Sequence, residues 1–186
     1  MDLGTAYIVG AIAVVAALGL GYRIGRGRPQ ELPTVAHAAK GAGKLHRIMV
    51  PIRGFDFEQR ALELACRLGE NQKSEIILVY VLEVPLTMGL GTPLPEQEEK
   101  AAEALASGAK LVRAHRLTAV QRLERAREAG RGIIKAAREM QVDLVVVGLD
   151  PNRGIAVEPI GPAAELLLRR GDFEVLIDRT PPRGFE

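Results

Sequence analysis

Tryptophan is absent from this 186-residue chain, and phenylalanine and tyrosine together make up 4% of it. Aliphatic side chains must therefore supply the core, and a hydrophobic content of 47% is enough for one ordinary domain with an appendage. Cysteine occurs once, as Cys66. A lone thiol excludes an intramolecular disulfide and fits a reducing compartment; its place in an apolar helical pattern makes it a small core residue. Serine is nearly as scarce. Ser74 and Ser107 are the two in the chain, and neither stands in a Gly-x-Ser-x-Gly elbow, so the sequence gives no support to a serine hydrolase. His37, His46 and His115 share no ligand spacing with Cys66 or with paired carboxylates, and no metal site is indicated. Each has a structural place instead: a tether, the approach to a strand, and a helix end where a cation suits the dipole.

A strong charge of one sign is also missing. The formal charge is +2, with six basic and two acidic residues in 1–47 and 19 basic against 21 acidic in the rest. A body this close to neutral lacks the basic face that a phosphate backbone demands, which argues against nucleic acid as a partner.

What the amino-terminal part does contain is a charge-free run from Leu3 to Tyr22. About twenty such residues, at roughly 1.5 Å each, match a hydrocarbon layer of roughly 30 Å. The run predicts a transmembrane helix over 3–24, with Tyr7 and Tyr22 near its ends. Arg23, Arg26 and Arg28 follow at once and place the carboxyl side in the cytoplasm, next to anionic lipid. A cleaved secretory signal would carry its basic residues first, whereas Asp2 is the charge that precedes this run. The other reading is a buried core helix. Small residues at Ala13, Ala17, Gly21 and Gly25 would let two such helices approach closely. Residues 25–44, rich in Gly, Pro and Ala, read as a linker, and 181–186 as a flexible tail.

From 45 to 180 the pattern alternates. Short apolar strands are expected at Ile48–Ile52, Ile76–Val84, Val142–Gly148 and Phe173–Ile177, with a more polar edge strand at Thr118–Glu124. Between them lie helices: one capped by Asp56 with Phe57, Ala61, Leu62, Ala65 and Leu68 on one face, one over Glu96–Arg116, one over Arg131–Gln141, and one opened by Gly161-Pro162. Continuous apolar runs ending in glycine suit strands covered on both faces, and β-α alternation implies a parallel sheet. The segment Pro85–Pro95 is expected to be either a lid or a plain connector. Ligands of such sheets bind at the carboxyl ends of the strands, where helix N-termini converge.

These segments resemble a universal stress protein domain of the UspA type. The residues that carry the likeness are the IMVPI strand, the ALELACRLG helix, the strand ending LVYVLEV, and VDLVVVG before a signature loop. The resemblance implies an open five-stranded α/β sheet in order 3-2-1-4-5 with helices on both faces, of the adenine nucleotide alpha hydrolase-like kind, preceded here by one transmembrane helix. It implies a homodimer through the last strand, Phe173–Ile177. In the nucleotide-binding branch the loop reads GxxGx(9)G[ST]. Aligned here, the pattern runs from Gly148 through Pro151 to Gly161-Pro162, keeping the outer glycines and the nine-residue gap while the second glycine and the hydroxyl residue are both proline. Arg53 stands where that branch has an aspartate for the ribose or adenine. A cation in place of an acceptor, and two prolines without N–H groups, weaken a phosphate cradle.

The expected crevice therefore comprises Ile52, Arg53, Val81, Gly148, Asp150, Arg153 and Gly161. Arg53 either pairs with Asp150 and fills the space or, with Arg153, supplies charge toward a phosphate. The expectation is a membrane-anchored, single-pass regulator or sensor with its α/β domain in the cytoplasm, without catalysis and without a tightly bound cofactor. A membrane transporter or channel is its expected partner. The alternative is an ATP or AMP binder with slow hydrolysis, and a third class is a flavodoxin-like binder of another ligand.

Overall fold

The computed structural model describes residues 44–54, 56–150 and 160–179, with the side chains of Asp56 and Phe57 excepted. Nine elements follow in order: β1 (Arg47–Pro51), α1 (Asp56–Glu70), β2 (Glu75–Glu83), α2 (Pro95–Ala114), β3 (Thr118–Ala126), α3 (Ala129–Glu139), β4 (Leu144–Leu149), α4 (Pro162–Arg170) and β5 (Glu174–Arg179). The five strands form one parallel sheet in the order β3-β2-β1-β4-β5.

The strand sequences build this sheet because their side chains serve two cores in alternation. Ile48 and Val50 of β1, Ile76 and Leu78 of β2, and Leu144 and Val146 of β4 face a layer made by Ala61, Leu62, Ala65 and Cys66 of α1 and Leu105, Ala109 and Val112 of α2. Met49, Ile77, Val79 and Val145 face the opposite layer, made by Ile133, Ile134, Ala136 and Ala137 of α3 and Leu167 of α4. Period-two placement on both sides explains why the central strands are apolar throughout. Each Leu, Ile or Val buried in this way contributes about 1.5–3 kcal/mol relative to exposure.

Several boundaries differ from the sequence reading. β4 starts at Leu144 rather than Val142, because Asp143 forms a turn whose carboxylate is bound to the start of β1. β3 runs on to Ala126, since its ladder with β2 continues to the pair Glu83 and Ala126. The helix expected to reach Arg116 ends at Ala114, and Arg116 takes a left-handed conformation at φ 57°. Lys73 and Gln141 do the same after α1 and α3. All three leave their helices by the αL route that more often carries glycine. The first helix begins at Asp56 itself, and the last strand, expected over Phe173–Ile177, runs from Glu174 to Arg179.

No helix among the described residues is long and apolar enough to cross a membrane. The span expected over 3–24, the linker to residue 43 and the tail 181–186 lie outside the described residues.

Candidate functional site

The chain passes from β1 to β2 on one side of the sheet and from β4 to β5 on the other. Connections that depart in opposite directions leave a gap at the carboxyl ends of β1 and β4. The β1–β4 ladder runs over Ile48 with Leu144 and Met49 with Val145, and beyond it opens a crevice of 450 Å³. Ile52, Arg53, Val81, Gly148, Asp150 and Gly161 all line it, together with Pro162. Arg153 and Pro151 lie outside the described residues. Two other hollows are larger: 580 Å³ between the start of α1 and the middle of α2, beside Tyr80, Lys100 and Ser107 and sharing Ile52, Arg53 and Glu58 with the crevice, and 620 Å³ between α3 and α4, beside Arg131 and Leu166. Size alone would favour them. The crevice is preferred because strand ends and two helix N-termini meet there.

The walls are apolar: Ile52, Val79, Val81, Ile133, Val147 and Ala164 face the space. At the mouth the turn after β1 is tight, with Gly54 at φ +95°, a backbone conformation that side-chain-bearing residues rarely adopt. Glu58, in the first turn of α1 and 5% exposed, holds that turn. One of its oxygens accepts the N–H groups of both Arg53 and Gly54, the latter at 2.9 Å, while the Arg53 guanidinium stands 3.6 Å from the other oxygen. The arginine is thus fixed by main chain and side chain alike, although 55% of its side chain is exposed.

On the opposite wall, Glu83 ends β2 and its Oε1 accepts the N–H of Ala129, at the start of α3, at 2.7 Å. The start of α4 lies beside it, because Gly130 has no side chain to hold the helices apart. A Cβ at Gly130 would come within 3.2 Å of the Ala163 backbone. Gly161, at φ +75°, turns the chain into α4, and Pro162 begins the helix without an N–H. Sequence reasoning missed Glu58 and Glu83. A signal existed for the first, an acidic residue in the opening turn of a helix, where N–H groups want acceptors.

The segment expected as a lid or connector is held by arginines at the end of β3. Arg127 donates to the carbonyls of Val84, Pro85 and Met88, and Arg125 to those of Leu90 and Thr92 and to Glu98. None of residues 85–95 lines the crevice. Deeper, Asp178 of β5 is 9% exposed and faces Arg60 of α1, with 3.2 Å between Oδ2 and Nε, an ion pair without a hydrogen bond.

Away from the crevice, His115 sits between two carboxylates of α1, with Nδ1 2.6 Å from Glu70 and Nε2 3.0 Å from Glu63. These hydrogen bonds, Glu70 first, hold its pKa above the usual 6.5. Burial, with the nearby Glu63 and Glu70 charges, pushes the Cys66 thiol up to about 12. Among the described residues no cluster of three or more His, Cys, Asp or Glu side chains is arranged to hold a metal ion.

Comparison with known proteins agrees with this architecture. A solved universal stress protein in complex with cAMP matches with a TM-score of 0.62 at 20% identity, over 74% of this chain and 99% of that one. One from Archaeoglobus fulgidus in complex with dAMP gives 0.59 at 18% identity, over 73% and 98%, and one from Burkholderia pseudomallei gives 0.59 at 21%, over 74% and 98%. No curated protein matches the chain. At these identities the solved structures establish the fold alone. The family model described as the universal stress protein family matches residues 44–179, the whole of the α/β body just described, and the chain belongs to that family.

Proposed function

We propose that this chain is a non-enzymatic, regulatory universal stress protein, held at a membrane by residues 3–24 with its α/β domain in the cytoplasm, and that it does not bind ATP tightly. The observation that carries the ligand part of this reading is the mouth of the crevice. Arg53, which by the family resemblance stands where the nucleotide-binding branch has an acceptor, has its own N–H and that of Gly54 bound by Glu58, and Pro162 offers none. Each donor missing from a phosphate site costs about 1 kcal/mol or more toward a charged ligand, so three losses weaken binding by about a hundredfold.

The anchoring part is supported by the charge-free run at Leu3–Tyr22 and the arginines after it. Self-association through β5 is part of the same proposal: β5 is an edge strand whose Val175, Leu176 and Ile177 are half-buried in the isolated chain. A membrane transporter or channel is the partner class that anchoring favours, since tethering raises the local concentration of neighbours in the same membrane.

Two measurements test the reading. Calorimetry of the full-length protein in nonionic detergent should give no saturable heat with ATP below about 100 μM, equivalent to binding weaker than about 5.5 kcal/mol; low-micromolar affinity rejects the proposal. Full-length protein that stays monodisperse without detergent rejects the anchor. A second reading, an AMP-class binder with slow ATP hydrolysis, draws on the solved relatives in complex with cAMP and dAMP and on the persistence of a crevice at the switch point.

A further inference from the structure

A single exposed leucine on a protein surface is ordinary, whereas a cluster held in place points to a contact. Among the described residues five large apolar side chains are exposed, and three of them stand close together in sequence: Leu86 at 86%, Met88 at 42% and Leu90 at 47%. They lie on the connection from β2 to α2, at the carboxyl end of the sheet. From Val84 to Pro95 this segment contains no charged residue.

The connection is a shaped one. Two turns form it, closed by the Met88 N–H on the Pro85 carbonyl at 3.0 Å and by the Thr92 N–H on the Gly89 carbonyl at 3.1 Å. Arg127 donates to the carbonyls of Val84, Pro85 and Met88, and Arg125 to those of Leu90 and Thr92. The Leu94 carbonyl accepts the N–H groups of Gln97 and Glu98. Pro85, Pro93 and Pro95 have no N–H to satisfy. Most acceptors of this backbone are therefore bonded within the protein, while its apolar side chains face outward. In hydrocarbon an unmet backbone group is costly, so a loop whose carbonyls are already bonded from below is suited to the edge of a bilayer.

Charge and the rest of the chain narrow what covers the cluster. Glu96, Glu98 and Glu99 follow it at the start of α2, so attraction to anionic headgroups does not hold it. The same chain carries the charge-free run Leu3–Tyr22, which in the functional reading keeps the α/β body beside a bilayer. Residues 25–44 span about 65 Å when fully extended. The longest strands have nine residues, roughly 30 Å. The tether thus allows either end of the sheet to meet lipid, and a surface kept so near demands little affinity from each side chain.

We propose that Leu86, Met88 and Leu90 form a second membrane contact, entering the boundary between headgroups and acyl chains while Arg125 and Arg127 hold the backbone of the loop. The contact is apolar rather than electrostatic, and it turns the carboxyl end of the sheet toward lipid. It deepens the reading given above and rests on it for the nearness of a bilayer.

The absence of tryptophan supplies a clean probe. Leu86→Trp is made in the full-length protein, with Asn71→Trp, in the exposed turn after α1 at the amino end, as its control. Each variant is checked by circular dichroism and measured in phosphatidylcholine vesicles with and without bromine on the acyl chains near the headgroup. The Leu86→Trp indole should be quenched by at least about twofold, as for a group about 5–10 Å into the boundary, and high salt should leave this unchanged. The Asn71→Trp indole should stay unquenched. Adding Met88→Asp and Leu90→Asp to the Leu86→Trp protein should abolish the quenching; a folded triple variant that is still fully quenched overturns the role of those side chains. An unquenched Leu86→Trp indole, equal quenching of both indoles, or quenching that salt removes overturns the proposal. So does a shielded indole without quenching: shielding that depends on protein concentration assigns the cluster to a second copy, and shielding that does not assigns it to another part of this chain. The anchor is read separately, by whether the protein stays monodisperse without detergent. If it does, vesicles are added to the soluble protein, and quenching there upholds the loop contact while the anchor falls.

Discussion

The two ends of this sheet use polar side chains on different targets. At the amino end they join elements far apart in sequence. Asp143 Oδ2 accepts the N–H groups of His46 and Arg47 at 2.7 and 2.8 Å, fastening the turn before β4 to the start of β1. Arg47 donates to the Met140 carbonyl at 2.8 Å and pairs with Glu75 at 3.3 Å, while Ser74 donates to the Leu45 carbonyl. His115 ties the end of α2 to Glu63 and Glu70 of α1. At the carboxyl end, Glu58 closes a turn four and five residues away, and Glu83 and the arginines of β3 hold the loops that flank them. At the amino end the ties run between strand starts and helix ends, whereas at the carboxyl end equally long-range ties, 46 residues from Glu83 to Ala129 and 43 from Arg127 to Val84, hold loops beside hollows of 450 and 580 Å³. In the functional reading proposed above, stability and binding fall to different ends of the same strands.

Substitutions should separate the two. Asp143→Ala removes the acceptor of two backbone N–H groups and is expected to cost about 2–3 kcal/mol in urea unfolding, from the usual worth of hydrogen bonds to a charged group. Ligand affinity should not change; a parallel loss of affinity would break the division. Next in size is Gly132→Ala. Its Cβ would lie 2.6 Å from Val81 Cγ1, so α3 must shift off the β2 end. The expected cost is about 1–3 kcal/mol, and here the crevice itself should be altered, since Val81 lines it.

Smaller effects sharpen the contrast. Glu58→Gln keeps an oxygen for the two amides but removes the charge that strengthens both bonds and the pairing of the other oxygen with Arg53, an expected loss of about 1–2 kcal/mol, readable as a lowered urea midpoint. His115 predicts a pH dependence confined to the amino end. Its pKa is raised in the folded state, so the added stability is complete below the usual 6.5 and fades as pH rises through the folded value. The side chains involved are partly exposed, and the change should stay within about 1 kcal/mol; His115→Gln should remove this contribution to the loss of stability above pH 6.5.

Much of this architecture was legible beforehand because burial on both faces of a strand imposes a plain chemical demand. Met49 and Val50 had to be apolar for opposite reasons, and the sequence makes them so. The strand order came from the likeness to a known family. Ile52, Arg53, Val81, Gly148, Asp150 and Gly161 line one crevice because each sits near the end of a strand or the start of a helix, positions that topology alone brings together. Glu83 was not legible. Its partner is a backbone amide, 46 residues on, which has no side-chain signature, and an acidic residue closing a strand looks like any solvated charge. Asp143 was hidden for the same reason.

The central claim is that the mouth of the crevice is closed to a nucleotide phosphate, and the most direct measurement is a structure of the protein soaked with AMP. The account expects Glu58 still on the Arg53 and Gly54 amides, with no phosphate oxygen within hydrogen-bond distance of those amides or of Ala163 or Ala164. A phosphate seated on those amides, with Glu58 displaced from the turn, would contradict it.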